Sequence, residues 1–310
     1  FFKQKTAYEI RNCDWSSDVC SSDLRAALGL ALLRQAVRQV PPDLTLQSRG
    51  DGETLAASRA APADLVVGLM RTRFLAESGH LSAAAAGEAC LKLQGMTGQA
   101  EYVPLLAATA ALCHELGEER RASPWCIQLA ERQPDDAGVQ YRLGENLLEV
   151  ADSPAMAAAG ARAFARCADL ASEDLAARLA VVACLVRAAE LADKAGKSSD
   201  AANFLGEAAK ACADAASRFP KLAEPWFRAG VVAEQRNDSA AARTAYERAL
   251  QIEPEHMGSL LNYAAVLDAS KETADKDAAK ATWRRALARD AASGGLKAAE
   301  RSRIEARLAQ

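Results

Sequence analysis

The chain is 310 residues long, half hydrophobic, a quarter charged and only 5% aromatic, with a formal net charge of -3. Its Lys/Arg and Asp/Glu residues are interspersed without a basic block or stripe, which argues against a nucleic-acid or anionic-membrane partner. The longest apolar runs, 26–33 and 179–186, are too short to span a bilayer, so no membrane insertion is expected and the chain reads as soluble. Ala and Leu dominate the apolar half and β-branched runs between turn residues are scarce, which predicts an all-α fold assembled through many small interfaces.

Residues 1–24, FFKQKTAYEIRNCDWSSDVCSSDL, are polar, rich in Ser and Asp and without helical periodicity. They lack the basic start, apolar centre and small-residue cleavage site of a secretory signal. The stretch from TAYEI to CDWSSDVCSSDL resembles translated sequencing-adapter read-through. It is set aside as a non-native or disordered tail, with the natural N-terminus expected upstream of Arg25. Residues 25–41 place Gly29, Leu33, Ala36 and Pro41 in register as the second helix of a truncated hairpin. Residues 42–61, polar and containing Gly, Ser and Arg, read as a loop. Residues 62–100 predict a divergent hairpin with Gly79 in its turn and Ala84 and Leu91 on its second helix.

From 101 to 291 a period of about 34 residues emerges, the first thing to seek in a chain of this composition. Residues 103–136 supply Leu106, Ala110 and Cys113, then Gly117, Ala122, Cys126, Leu129 and Pro134. The next unit begins at once with Gln140, Leu143, Gly144 and Leu147, and resumes after a short insertion at 152–154 with Gly160, Phe164 and Cys167. Residues 173–220 predict a longer hairpin, with Ala208, Cys212 and Ala215 on its second helix. The clearest unit is 223–256: Trp226, Ala229, Gly230 and Ala233 share one helical stripe, Asn237-Asp238-Ser239 turns the chain, and Ala242, Tyr246 and Ala249 precede Pro254. Small Gly230 and Ala242 allow close helix approach, Asp238 and Ser239 suit a helix N-cap, and Pro254 cannot continue the helix. Residues 257–290 follow with Leu260, Tyr263, Ala264 and Leu267, a charged insertion near 271–276, then Ala279, Trp283 and Ala286. Residues 292–310 break at Gly294-Gly295 and end in a polar helix expected to cap the last unit.

This register resembles the tetratricopeptide repeat, with Ala229 and Ala233 departing from its usual Leu and aromatic. The resemblance is firm over 101–310 and looser over 25–100. It implies a right-handed superhelical α-solenoid of antiparallel helix-turn-helix repeats whose first helices line a concave groove. Carried onto the units aligned without a gap, it implicates Tyr141, Glu145, Glu149, Phe227, Val231, Glu234 and Gln235 as groove residues. Arg142, Arg228 and Asn262 fall at its edge. Tyr141 and Phe227 have a competing reading as packing residues between helices. The Lys/Asn set with which some family members clamp a partner's terminal carboxylate is absent apart from Arg228 and Asn262.

Chemistry of the chain's own is not expected. Cys13 and Cys20 fall in the tail, and Cys90, Cys113, Cys126, Cys167, Cys184 and Cys212 form no Cys-x-x-Cys pair; those at repeat positions read as small packing residues. Cys113 and His114 point about 100° apart on a helix and cannot converge on one reactant or metal, while His80 and His256 fall at turns. Gly196-Lys197-Ser198 lacks the Gly and the strand that a phosphate-binding loop needs before it, so it reads as a turn between helices. Glu118-Glu119 and Asp135-Asp136 suit helix starts. The expectation is a non-enzymatic scaffold or adaptor, without metal or cofactor, that binds a protein or peptide partner with apolar anchors and some basic residues. Unpaired cysteines favour the cytoplasm over secretion. Two alternatives stand: the C-terminal regulatory part of a larger enzyme such as a kinase or glycosyltransferase, or a structural part of a secretion or envelope machine.

Overall fold

The structure is a computed structural model that describes residues 21–37, 44–60, 65–82, 85–86, 89 and 103–309. The tail at 1–20, Pro41, Ala84, Cys90 and Leu91 lie outside these residues. The chain divides into two compact units, Phe1–Pro134 and Asp135–Gln310, and the division falls inside the predicted 101–291 array. Among the described residues all regular structure is helical.

The first unit contains α1 (Ser21–Val37), α2 (Leu44–Ala60), α3 (Leu65–Glu77), α4 (Val103–Glu115) and α5 (Glu119–Arg132). Helix α2 corrects the loop expected over 42–61. Its Gly50, Thr54 and Ala57 recur at helical spacing and are buried, and α1 lies directly against them. A Cβ on Gly50 would stand 2.7 Å from the Gly29 carbonyl oxygen, so the two backbones meet where neither residue has a side chain. The polar residues that suggested a loop lie largely on the other side of the helix, while Thr54 returns its hydroxyl to the Gly50 carbonyl at 3.2 Å. Helix α1 is therefore the first member of a pair rather than the second helix of a truncated one. Helix α3 closes over both: Leu30, Leu33 and Phe74 form one buried cluster, and Ala26, Ala57 and Val67 another. Gly79, at φ +77°, ends α3 as the sequence predicts. Helices α4 and α5 pair across a turn at Gly117, and α5 buries Ala122, Trp125 and Leu129. Trp125 takes the buried position expected for Cys126, which is only half-buried.

The second unit is an α-solenoid of antiparallel pairs: α6 (Ala137–Val150) with α7 (Pro154–Leu170), α8 (Leu175–Lys194) with α9 (Ser198–Arg218), α10 (Ala223–Gln235) with α11 (Ser239–Ile252), and α12 (Met257–Asp268) with α13 (Thr273–Ser293). Side chains set many of the helix starts. Asp136, Ser153, Asp174 and Asp238 each accept the backbone N–H three residues on, at 3.0–3.3 Å, which satisfies one of the donors a helix start leaves open. The Gly196-Lys197-Ser198 segment is the α8–α9 turn. Within pairs, Gly144 lies under the Phe164 ring and Gly230 under the Tyr246 ring, where a Cβ would come within 2.7 and 2.3 Å of ring carbons. Both rings are fully buried, so each pair is held by an aromatic lodged in a notch that only a glycine leaves.

Pairs join through the second helix of one and the first helix of the next. Cys184 and Cys212 are fully buried in the joint that contains Ala161, Phe164, Val182 and Val232. The last pair is covered by α14 (Ala298–Leu308), whose Ile304 sits with Ala264, Leu267, Ala279 and Trp283. Asp290 fastens this cap: its carboxylate accepts the Leu296 N–H at 2.9 Å and Arg301 at 2.6 and 2.8 Å. These bonds hold the Asp290 carboxyl below its ordinary pKa, the Leu296 amide first and Arg301 second.

Candidate protein-binding groove

In the second unit the first helices α6, α8, α10 and α12 approach one another directly, with Cα atoms within 8 Å from each to the next. The second helices α7, α9, α11 and α13 make no such approach to one another. This arrangement puts the first helices along one side of the stack, and the candidate groove residues belong to three of them, α6, α10 and α12.

On α6, Glu145 and Glu149 are exposed and form no ion pair among the described residues. Arg142 is exposed beside them, its Nε donating to the Gly138 carbonyl at 3.5 Å. Tyr141 meets the Phe164 ring edge-on, with centroids 5.1 Å apart at 81°. It also borders an open hollow of about 490 Å³ shared with Arg142, Cys167 and Asp174. Its phenol pKa is raised, by partial burial first and then by Glu145 and Asp174. Tyr141 therefore packs on Phe164 and also borders the hollow.

The α10 residues divide differently. Phe227 lies in the joint with the next pair, 5.1 Å from the His256 ring and 6.1 Å from Tyr246, and against Gly258, where a Cβ would come within 2.8 Å. The Arg228 guanidinium sits 5.5 Å from the Phe227 ring centre and donates to Glu224 at 2.7 Å. Glu234 accepts the Tyr246 hydroxyl at 2.7 Å while Asn262 donates to the same oxygen at 3.1 Å. Burial, then the Glu234 carboxylate, raises the Tyr246 pKa, and this buried phenol stays neutral. Glu234 and Asn262 are thereby committed to holding α10, α11 and α12 together. Val231 is half-buried and packs on Ala233, Ala242 and Tyr246, whereas Gln235 is exposed.

The sequence marks His256 only as a turn residue, and the structure gives it a further part. It caps α12, its Nδ1 accepting the Ser259 backbone N–H at 3.2 Å, with Nε2 3.2 Å from a Glu224 oxygen. The Glu224 carboxyl is held below its ordinary pKa, chiefly by the His256 hydrogen bond. Burial raises the Cys184 and Cys212 thiols to about 12, so both are unreactive packing groups. No group of three or more His, Cys, Asp or Glu among the described residues is placed to hold a metal ion. No helix among them is long and apolar enough to cross a membrane.

In two pairs a glycine of the first helix, Gly144 or Gly230, touches the aromatic of the second, and successive first helices lie next to one another. The fold is tetratricopeptide-like. No protein-family model matches the chain and no curated protein matches it significantly. Among solved structures, MamA 41-end from Desulfovibrio magneticus RS-1 is 13% identical over 62% of this chain and 97% of its own, with a TM-score of 0.47. TTC0263, a TPR protein of Thermus thermophilus, is 15% identical over 67% of this chain and 100% of its own, with a TM-score of 0.45. YrrB, described as a TPR protein with an unusual peptide-binding site, is 17% identical over 67% and 95%, with a TM-score of 0.43. At such identities and scores the likeness is one of general architecture and carries nothing about what this chain binds.

Proposed function

We propose that the second unit is a protein-interaction scaffold whose inner, first-helix face holds a segment of a partner protein. One observation supports this reading: the first helices α6, α8, α10 and α12 run next to one another, with Glu145 and Glu149 exposed and without ion pairs among the described residues and with Tyr141, Leu148 and Val231 only part-buried. Stacked repeats turn such a row into one extended concave surface. The mixture suits a helix or extended peptide with apolar anchors and basic neighbours. Binding of this kind requires no cofactor and no reaction. Glu145, Glu149, Arg142 and Gln235 are its exposed contacts, with Tyr141 and Val231 as apolar ones. Phe227, Arg228, Glu234 and Asn262 contribute by fixing the angle between neighbouring pairs.

Photo-cross-linking tests this. A benzophenone amino acid placed at Glu145 or Gln235 should yield one shared partner band, and the same group at Glu207 or Thr244 on the second helices should not. Equal capture from both sets would remove the inner-face assignment.

A further inference from the structure

Helix α8 is apolar nearly all round over residues 175–186. Its one charged side chain there, Arg178, is buried and bonded to Asp214 and to the Ala168 and Ser172 carbonyls. A helix without a polar side is ordinarily enclosed by its neighbours. Helices α6, α7, α9 and α10 all pack against α8, yet one face stays open: Ala176 and Ala183 are exposed, with Leu179 and Ala180 half-buried between them. These positions, separated by three, four and seven residues, form one line along the helix. The first helices on either side expose polar groups instead, Glu145 and Glu149 on α6 and Arg228 and Gln235 on α10.

This face decides the backbone of what can lie on it. An extended segment brings N–H and C=O groups that need partners once they are covered, and no polar side chain of α8 reaches solvent between residues 175 and 186. An α-helix bonds its own backbone and needs none. Alanines also let a second helix approach to the short end of the usual range, about 8 Å between axes. At the start of the line, Ala176 borders the Tyr141 hollow of about 490 Å³, which has room for a bulky apolar side chain. The charges fix the flank. Tyr141, Glu145 and Glu149 follow at four-residue spacing on α6, so both carboxylates, unpaired among the described residues, lie on the hollow's side of that helix, with Arg142 as the only cation beside them. On the other flank Arg228 is paired with Glu224, and at the far end Arg187 is paired with Glu190.

We infer that the open face of α8 receives an amphipathic α-helix of the partner protein. Its apolar stripe runs over Ala176, Ala180 and Ala183, one bulky apolar side chain enters the hollow beside Tyr141, and Lys or Arg residues line the flank toward Glu145 and Glu149. The inference rests on the scaffold reading for the place of binding. It adds α8, to which the repeat register assigned no groove residue, and it selects a helix over an extended peptide.

The test is methyl NMR of the full chain, with labelled Ala and Leu, titrated with three peptides of about four helical turns. The first contains only Leu and Lys, with Leu at helical spacing; the second has the same composition in strict alternation; the third replaces Lys by Glu at helical spacing. The helical Leu/Lys peptide should give saturable shifts at Ala176, Leu179 and Ala183, and the other two should bind at least about tenfold more weakly. Ala183→Arg, at an exposed position, should keep its helical circular dichroism and lose about tenfold or more in affinity for that peptide, whereas Thr244→Arg on α11 should leave it unchanged. Absence of saturable shifts at these residues, equal binding of the alternating or Leu/Glu peptide, or full affinity in Ala183→Arg would each overturn the assignment. A concentration-dependent dimer of the chain that Ala183→Arg dissolves would give the face to a second copy and overturn it as well. If a partner captured by the inner-face cross-linkers leaves the α8 methyls unshifted, this inference falls and the scaffold reading stands. If the Leu/Lys helix binds α8 while the cross-linkers capture nothing, the helix site stands and the scaffold reading falls.

Discussion

Replacing Gly230 by Ala separates two opposing effects that the fold sets against each other. In an ordinary helix interior the change is favourable by about 1 kcal/mol, because Ala loses less backbone entropy than Gly. Here the new Cβ would stand 2.3 Å from Tyr246 Cε1 and 2.6 Å from Cδ1 and Cζ. The ring cannot retreat cheaply, since it is fully buried and its hydroxyl is bonded to Glu234 and Asn262. Forcing a methyl into a packed core costs about 1–3 kcal/mol, and pulling the hydroxyl off its partners adds about 1–3 kcal/mol. After the helix-propensity gain is subtracted, the net expectation is a destabilisation of about 1–5 kcal/mol. Gly206→Ala, in the middle of α9 with nothing within 4 Å of its would-be Cβ, should instead stabilise by about 0.5–1 kcal/mol. Urea and thermal unfolding followed by far-ultraviolet circular dichroism would measure both. Adding Tyr246→Leu supplies the control: the penalty of Gly230→Ala should largely vanish in that background, a coupling expected only of residues in contact. A Gly230→Ala protein at least as stable as the parent, or a penalty unchanged by Tyr246→Leu, would show that the aromatic does not rest on this glycine.

Four further outcomes follow from the same geometry. Gly52 in α2 has open space around it while Gly50 abuts the Gly29 backbone, so Gly52→Ala should stabilise by about 0.5–1 kcal/mol and Gly50→Ala should destabilise; a loop at 44–60 would show neither. Asp290 has a depressed folded pKa, so its stabilising effect is complete above about pH 3.9, the ordinary Asp value, and is lost as pH falls through the lower folded value. Amide exchange in α14 should accelerate over that range, and Asp290→Asn should show fast exchange already at neutral pH. Cys184 and Cys212, buried and with pKa values near 12, should stay unmodified by a thiol reagent until denaturant is added. Glu145→Lys with Glu149→Lys should weaken capture of a partner with basic residues by about tenfold or more without loss of helicity; unchanged capture would take α6 out of the groove.

How far the sequence could be read depended on what each residue's neighbours left undecided. The 223–256 pair was legible because its stripe, turn, cap and proline stop all agree, and the structure places α10 and α11 accordingly. The 44–60 helix was not. Its glycines and polar residues match a loop in composition, and only the opposing Gly29 shows that Gly50 is a contact rather than a breaker. Groove membership was harder still. A repeat position specifies which way a side chain points, but not whether the next pair has closed over it. Phe227 illustrates this: Gly258, thirty-one positions later, makes the notch that its ring enters. Glu234, a groove position by the resemblance, likewise accepts the Tyr246 hydroxyl from the facing helix, which its place in the repeat does not reveal.

The most direct measurement on the scaffold account is amide hydrogen exchange of the full chain, with and without the partner recovered by the inner-face cross-linkers. Added protection should concentrate in α6, α8, α10 and α12, on the turns containing Glu145, Glu149 and Gln235, and leave α7, α9 and α11 unchanged. Protection running along the second helices instead, or confined to the first unit, would contradict it.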